Sequence, residues 1–272
     1  GQGKSTLLTF LAGQAMRHSD LKVFFFDRHR GAEIFTRSIG GAYVGFDGDE
    51  KNVSLNPFDT ANTPNNRAFL RRWLKSITMV DDALSEKEIG RAVTTAFDYL
   101  RPEERIMKNL YKSCFSPTGN MRRELFRWIN PDQYGNIFNA ENDSLDLSAK
   151  RFMAFDFTHI FEDETLAPAV ISYIMHRIMS ETGDTGVPSL IMIDETAPML
   201  KHPMFRDYFI IGLQEGRKKR QAYLCAFQQP NIIDKLGVGE VIRGQCQTII
   251  FFRNPQAYRK STFCRMLLPP AL

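Results

Sequence analysis

Short apolar runs of strand length alternate along this chain with stretches whose apolar positions recur every three or four residues. The first run is KVFFFD (Lys22–Asp27). RFMAFDF (Arg151–Phe157), SLIMID (Ser189–Asp194), AYLCAF (Ala222–Phe227) and QTIIFF (Gln247–Phe252) follow it. These runs are nearly continuous rather than alternating, the pattern of strands buried on both faces in a sheet covered by helices. Helical spacing between them predicts helices over Ser5–Arg17, Leu166–Glu181, Met204–Glu215 and Asn231–Leu236. The two patterns together predict an α/β domain with a mainly parallel sheet, flanking helices and right-handed crossovers.

One stretch breaks the rhythm. From Ala61 to Gln133 no run of strand type occurs, and NRAFLRRWLKSI and SEKEIGRAVTTAFDYL are amphipathic at helical period. Ser85 with Glu88 reads as a capping box. An all-helical insertion leaving one crossover of the sheet is therefore expected. It divides the chain into a first part of the core (residues 1–60), the insertion (61–134) and the rest of the core (135–272). Arg67, Arg71, Arg72, Lys75, Arg122, Arg123 and Arg127 make the insertion basic. That content fits a nucleic-acid surface or, more plainly, a solvated helix face.

Bulk properties narrow the picture only slightly. A chain of 272 residues can bury a sizeable core. A net charge of +4 and a pI of about 8.8 are compatible with an anionic partner without requiring one. No apolar run reaches the length of a membrane span. Cys114, Cys225, Cys246 and Cys264 form no C-x-x-C pair and meet no histidine at zinc spacing, so reduced structural thiols in a cytosolic protein are expected. The histidines are scattered, and His176 in YIMHRIM reads as a packed or surface helix residue.

Candidate chemistry begins at the first residues, GQGKSTLLTF. A phosphate-binding loop reads G-x-x-x-x-G-K-[ST], and Gly3, Lys4 and Ser5 match its last three positions. Gly1 and Gly3 would let the backbone approach the phosphates at a helix N-terminus. Lys4 would meet the β- and γ-phosphates, Ser5 would bind Mg²⁺, and Thr6 could add a hydroxyl near the α-phosphate. The tripeptide is weak evidence alone. SLIMIDE adds an apolar strand ending in Asp194 and Glu195, where one acid can hold the Mg²⁺ shell and its neighbour can act on the attacking water. A strand that simply ends in acidic loop residues explains either motif singly but not the two together, because carboxylates at a buried strand tip need a cation or partners.

Two further features point the same way. AYLCAFQQP puts Gln228 and Gln229 after a strand, where an amide can bond both a γ-phosphate and a water. EGRKKRQ carries Arg217, Lys218, Lys219 and Arg220, which could donate an arginine to charge developing in phosphoryl transfer, or could simply favour a helix C-terminus. Asp27, closing its strand in FFFDRHRG, fits a supporting role at the site or a loop cap.

The order of these motifs resembles the ATPases of type IV secretion and conjugal transfer, the TrbE/TraC-type proteins, in the FtsK/HerA branch of RecA-like motors. The resemblance rests on GQGKST, VFFFDRHRGAEIFTRSIGG, LNPF (Leu55–Phe58), FDFTHIFED (Phe155–Asp163), ISYIMHRI, IMIDETAPML, EGRKKRQAYLCAFQQPNII and IIFFRNPQAY. It implies a RecA-like P-loop NTPase core that hydrolyses ATP with Mg²⁺. Lys4 and Ser5 take the nucleotide-binding positions, Asp194 and Glu195 the strand-end acids, Gln228 the sensor position, and Arg217 with Lys218 an arginine-lysine pair reaching a neighbouring subunit. It also implies a homo-oligomer, of hexamer type, cytoplasmic and peripheral to the bacterial inner membrane. There it would work with other secretion components on a DNA or protein substrate.

The chain departs from the pattern at Thr196-Ala197-Pro198, where the family often has an aromatic, and at Arg253, where it often has proline. The resemblance further implies a fragment, since family members carry chain before the phosphate loop and beyond Leu272. Two other readings compete with a secretion motor: a DNA-translocating coupling-type ATPase, and a scaffold subunit of the same apparatus that does not hydrolyse. A small-molecule kinase fits less well, because no acceptor-binding signature is present.

Overall fold

A computed structural model describes residues 3–46, 53–229 and 232–252. Five strands form one sheet: β1 (Lys22–Asp27), β2 (Ala42–Val44), β3 (Phe152–Asp156), β4 (Ser189–Ile193) and β5 (Gln221–Cys225), in the order β2-β3-β1-β4-β5. β1 pairs in parallel with β3 and β4, and β4 in parallel with β5. The central β1 shows why its sequence is continuously apolar: Val23, Phe24, Phe25 and Phe26 are at most 1% exposed. Burial of each phenylalanine stabilises the fold by about 1.5–3 kcal/mol.

Twelve helices accompany the strands among the described residues. Seven lie before or within the long excursion from the sheet: α1 (Lys4–Ala15), α2 (Glu33–Ser38), α3 (Pro64–Thr78), α4 (Ala83–Asp98), α5 (Met107–Cys114), α6 (Asn120–Ile129) and α7 (Gly135–Phe138). The others are α8 (Leu166–Thr185), α9 (Thr196–Leu200), α10 (Pro203–Glu215), α11 (Ile232–Lys235) and α12 (Gly239–Gln245). None is long and apolar enough to cross a membrane.

The chain forms two compact units, one of residues 1–43, 148–158 and 177–272, the other of residues 44–147 and 159–176. In the first, Leu8 and Ala12 of α1 pack on Val23, Phe25, Ala154 and Met192 from one face of the sheet. On the other face Phe26 meets Phe155 and Phe157, with ring centroids 5.7 Å and 5.5 Å away. Gly41 leads into β2 because a Cβ there would lie 2.8 Å from the carbonyl oxygen of Phe152. A strand as short as β2 carries too little pattern to be read from sequence.

In the second unit α3–α7 pack around Trp73, Trp128 and Phe138, all fully buried. Trp73 donates its indole N–H to the Ala169 carbonyl at 3.0 Å. His176 is the packed helix residue expected, stacked on Phe69 at 3.9 Å with its Nε2 2.8 Å from Asn66 Oδ1. The basic residues here are largely paired. Arg67 bonds Asp98, Lys75 bonds Glu86, and Arg123 and Arg127 share Glu124 at 3.1 Å and 2.9 Å. Arg122 lies over the Tyr111 ring. Exposed pairs of this kind contribute little to stability.

Two expectations are corrected. QTIIFF is not a strand: residues 247–252 join no ladder, and Ile249 and Ile250 are 44% and 59% exposed. Its β propensity was real, but a strand needs a partner for its backbone groups, and the sheet order ends at β5. The Ser85–Glu88 capping box is also absent. Asp82 caps α4 instead, accepting from the Ser85 N–H at 2.9 Å, while Glu88 accepts from the Ser116 N–H at 2.9 Å. An aspartate three residues upstream was the better cap acceptor.

Candidate active site

Parallel pairing aligns the C-terminal ends of the strands, so the acids closing them share one edge. Asp27 of β1 is level with Asp156 of β3, and Asp194 follows β4, donating its N–H to the Phe26 carbonyl at 3.0 Å. In sheets of this kind ligands bind outside the carboxyl ends of the strands. α1 starts at this edge. Gly3, its N-cap, is left-handed (φ 80°, ψ 5°), a conformation that favours glycine. The first turn holds no acidic residue, leaving its backbone N–H groups and dipole free to favour an anion.

Two contacts close the site around this start. Ser5 Oγ donates to Asp194 Oδ2 at 2.7 Å, and Lys4 Nζ donates to the Phe227 carbonyl at 3.3 Å. Asp194 is 6% exposed, so that hydroxyl meets a carboxylate largely removed from water. Thr6 sits exposed on the same turn. Gly1 lies outside the described residues.

Glu195 follows Asp194 with a left-handed backbone (φ 57°, ψ 58°) and opens α9. Its carboxylate takes donors from both neighbouring strand ends. Arg28, one residue past β1, donates from Nη1 to Oε2 at 2.6 Å, and Gln228, past β5, donates its amide to Oε1. His29 Nε2 is 3.9 Å from the same Oε2. Asp27 is buried and serves as a loop cap, accepting from the N–H groups of Gly31 (3.2 Å) and Ala32 (2.9 Å) and from the Tyr43 hydroxyl (3.0 Å). Burial pushes its carboxyl above the ordinary range despite the opposing bonds from Ala32 and Tyr43, with Asp156 and Asp194 adding to the rise.

The structure thus gathers Lys4, Ser5, Asp194, Glu195 and Gln228 at one edge. It leaves Arg217 out. That residue is exposed in the turn between α10 and β5, at the N-terminal edge of the sheet, as is Lys218. Arg28 and His29 are the site residues that sequence reasoning missed. Their signal was DRHRG, directly after an acid-tipped run that turns out to neighbour β4.

A mainly parallel, helix-flanked sheet with a glycine-led helix facing an acid-tipped strand, interrupted by a helical insertion, defines an NTPase fold of the P-loop, RecA-like class. No protein-family model matches the chain. It is 28% identical over 265 residues to type IV secretion system protein virB4 of Bartonella henselae, covering 96% of this chain and 33% of that protein. It is 29% identical over 273 residues to conjugal transfer protein TrbE of Rhizobium radiobacter, and 29% over 276 residues to type IV secretion system protein PtlC of Bordetella pertussis. These matches cover 96% and 95% of this chain, and 32% and 33% of the relatives.

Along nearly its whole length the chain is thus similar to type IV secretion and conjugal-transfer proteins of the virB4, TrbE and PtlC kind, and it spans about a third of the length of the curated relatives it matches. Its fold agrees with VirB4 of Thermoanaerobacter pseudethanolicus at TM-score 0.72 and 14% identity, over 91% of this chain and 72% of that one. The plasmid coupling protein TrwB in complex with ADP and Mg²⁺ matches at TM-score 0.55 and 13% identity, over 90% and 66%.

Proposed function

We propose that this chain is the ATP-hydrolysing motor module of a type IV secretion or conjugal-transfer apparatus, energising assembly or substrate transfer. The observation that carries this reading is the 2.7 Å contact between Ser5 and Asp194. It joins the first turn of a glycine-led helix to the tip of a buried strand, with Glu195 next in line. Hydroxyl and carboxylate are hard oxygen donors suited to Mg²⁺. Among the described residues no three His, Cys, Asp or Glu side chains converge as a metal cage. Ser5 Oγ and Asp194 are thus the oxygen donors of this chain that would hold a Mg²⁺ ion. The ion so held would supply charge neutralisation to a bound nucleotide's phosphates.

The remaining roles fall to side chains of this chain. Lys4 moves from the Phe227 carbonyl to the phosphates and offsets their charge, with the Gly3 backbone and Thr6 lining the same turn. Glu195 accepts the proton of the water attacking in line, and Gln228 reads the γ-phosphate. Arg217, at the far edge of the sheet, acts on the nucleotide of a neighbouring subunit, which requires a homo-oligomer. We read the assembly as a hexamer, cytoplasmic and peripheral to the inner membrane among other secretion components, on the likeness to secretion-system relatives. A DNA-translocating motor is the second reading, favoured by the fold likeness to coupling protein TrwB. DNA-stimulated hydrolysis with a steep salt dependence would select it.

The test is nucleotide binding and turnover in the full protein. Lys4→Ala abolishes ATP binding. Glu195→Gln retains binding and loses turnover by orders of magnitude, and normal hydrolysis in Glu195→Gln would overturn the assignment.

A further inference from the structure

We infer that Arg28 is a positioning residue for the hydrolytic reaction. It pins Oε2 of Glu195 so that Oε1 is the oxygen presented to the attacking water once Gln228 leaves it. The inference rests on the reading of Glu195 as the general base.

The two donors on Glu195 differ in how they are held. Gln228 is exposed, in irregular chain beyond β5. Arg28 comes from a loop braced at several points. The His29 N–H donates to Thr158 Oγ1 at 2.9 Å, and Arg30 Nε donates to Asp156 Oδ2 at 3.1 Å. The Gly31 and Ala32 N–H groups end on the buried Asp27. Between these anchors His29 and Arg30 both hold left-handed backbones, at φ 71° and 55°. Non-glycine residues keep such conformations only where the surroundings over-determine them. The outcome of this bracing is the 2.6 Å charge-assisted bond from Arg28 to Glu195, whose side chains are 29% and 16% exposed.

A base needs a lone pair aimed at the proton it removes, and its carboxylate must be oriented by a third group. Glu195 starts α9 from a left-handed residue, so its backbone holds an unusual conformation at the point where the side chain must be aimed. With Oε2 held by Arg28 of the braced loop, the exposed Gln228 covers Oε1. An amide that turns to a γ-phosphate oxygen uncovers that oxygen at the moment the phosphate is in place. Base and substrate become ready together.

The test uses steady-state ATP hydrolysis by the full protein with Arg28→Ala, Arg28→Met, Arg28→Lys, Glu195→Gln and the Arg28→Ala/Glu195→Gln double variant. Arg28→Ala and Arg28→Met lower kcat on the order of 10- to 100-fold, the scale of a misaimed catalytic group, while KM stays within about twofold. Arg28→Lys recovers part of the loss, and the double variant is no slower than Glu195→Gln. An unchanged or raised kcat in Arg28→Ala and Arg28→Met overturns the inference, as does a loss that multiplies in the double variant. Wild-type turnover in Glu195→Gln alone instead overturns the assignment of the base.

Discussion

Ser5→Ala separates the contact that Ser5 makes from the metal role proposed for it. In the structure its hydroxyl donates to Asp194 Oδ2 at 2.7 Å, and Asp194 is 6% exposed. Removing one donor from a carboxylate costs about 1.5–3 kcal/mol when nothing replaces it. Ser5 itself lies at the surface, so water replaces part of the loss, and the low end of that range applies. For a chain of this size each kcal/mol moves the midpoint by about 2–4 °C, so thermal unfolding should fall by only a few degrees. The larger effect belongs to the ion. If Ser5 holds Mg²⁺ as proposed, its loss weakens nucleotide affinity roughly 10- to 100-fold, the scale of a disturbed metal site, but only when Mg²⁺ is present. The assay is titration with a fluorescent ATP analogue, in Mg²⁺ and again in EDTA, on wild type and variant. Wild type should bind tighter with Mg²⁺, and the variant should show nearly the same affinity in both. An equal loss in Mg²⁺ and in EDTA would refute the reasoning, because Ser5 would then act on the loop and not through the ion.

Two other outcomes test other parts of the molecule. Burial raises the Asp27 carboxyl above its ordinary 3.8, so the folded state keeps that proton at pH values where the unfolded chain has released it. Wild-type stability relative to Asp27→Asn should therefore fall as pH rises from below 3.8 through the raised value, and level off above it. Urea unfolding of both proteins across pH checks this, and a difference that grows with rising pH contradicts it. For the basic turn, Arg217→Ala alone should lose turnover while keeping ATP binding. Mixed with Lys4→Ala, it should regain activity, since each variant supplies what the other lacks, and a mixture as inactive as its components rules out transfer between subunits.

Much of the fold was legible because both of its periodicities are strong. KVFFFD, RFMAFDF, SLIMID and AYLCAF each became a parallel strand, and the amphipathic stretches after Ala61 became α3 and α4. Failures came where pattern underdetermines pairing. QTIIFF has the composition of a strand, yet composition cannot say whether a neighbour offers its backbone groups. The Ser85–Glu88 spacing suited a capping box, but Asp82 lay closer to the true helix start. For the candidate site, the convergence of Lys4, Ser5, Asp194, Glu195 and Gln228 at one edge was readable from motif and position. Arg28 was not, because its relation to Glu195 exists only once β1 and β4 become neighbours, across 167 residues of sequence.

Strand direction has a consequence for Arg217 that motif reading alone does not reach. All four paired strands of known register run the same way, so one edge of the sheet collects carboxyl ends and the other collects amino ends. Lys4, Asp194, Glu195 and Gln228 belong to the first edge, whereas Arg217 precedes β5 and belongs to the second. The five residues Gln221–Cys225 span about 13 Å at roughly 3.3 Å per step, and Arg217 lies further back along the chain. The body of β4 and β5 stands between that guanidinium and its own chain's Ser5–Asp194 pair. An arginine so placed lies at the edge opposite the one where its own chain's Ser5–Asp194 pair sits. If Arg217 takes part in hydrolysis, the acceptor is a site on another copy, and turnover must then rise more steeply than in proportion to protein concentration until assembly is complete.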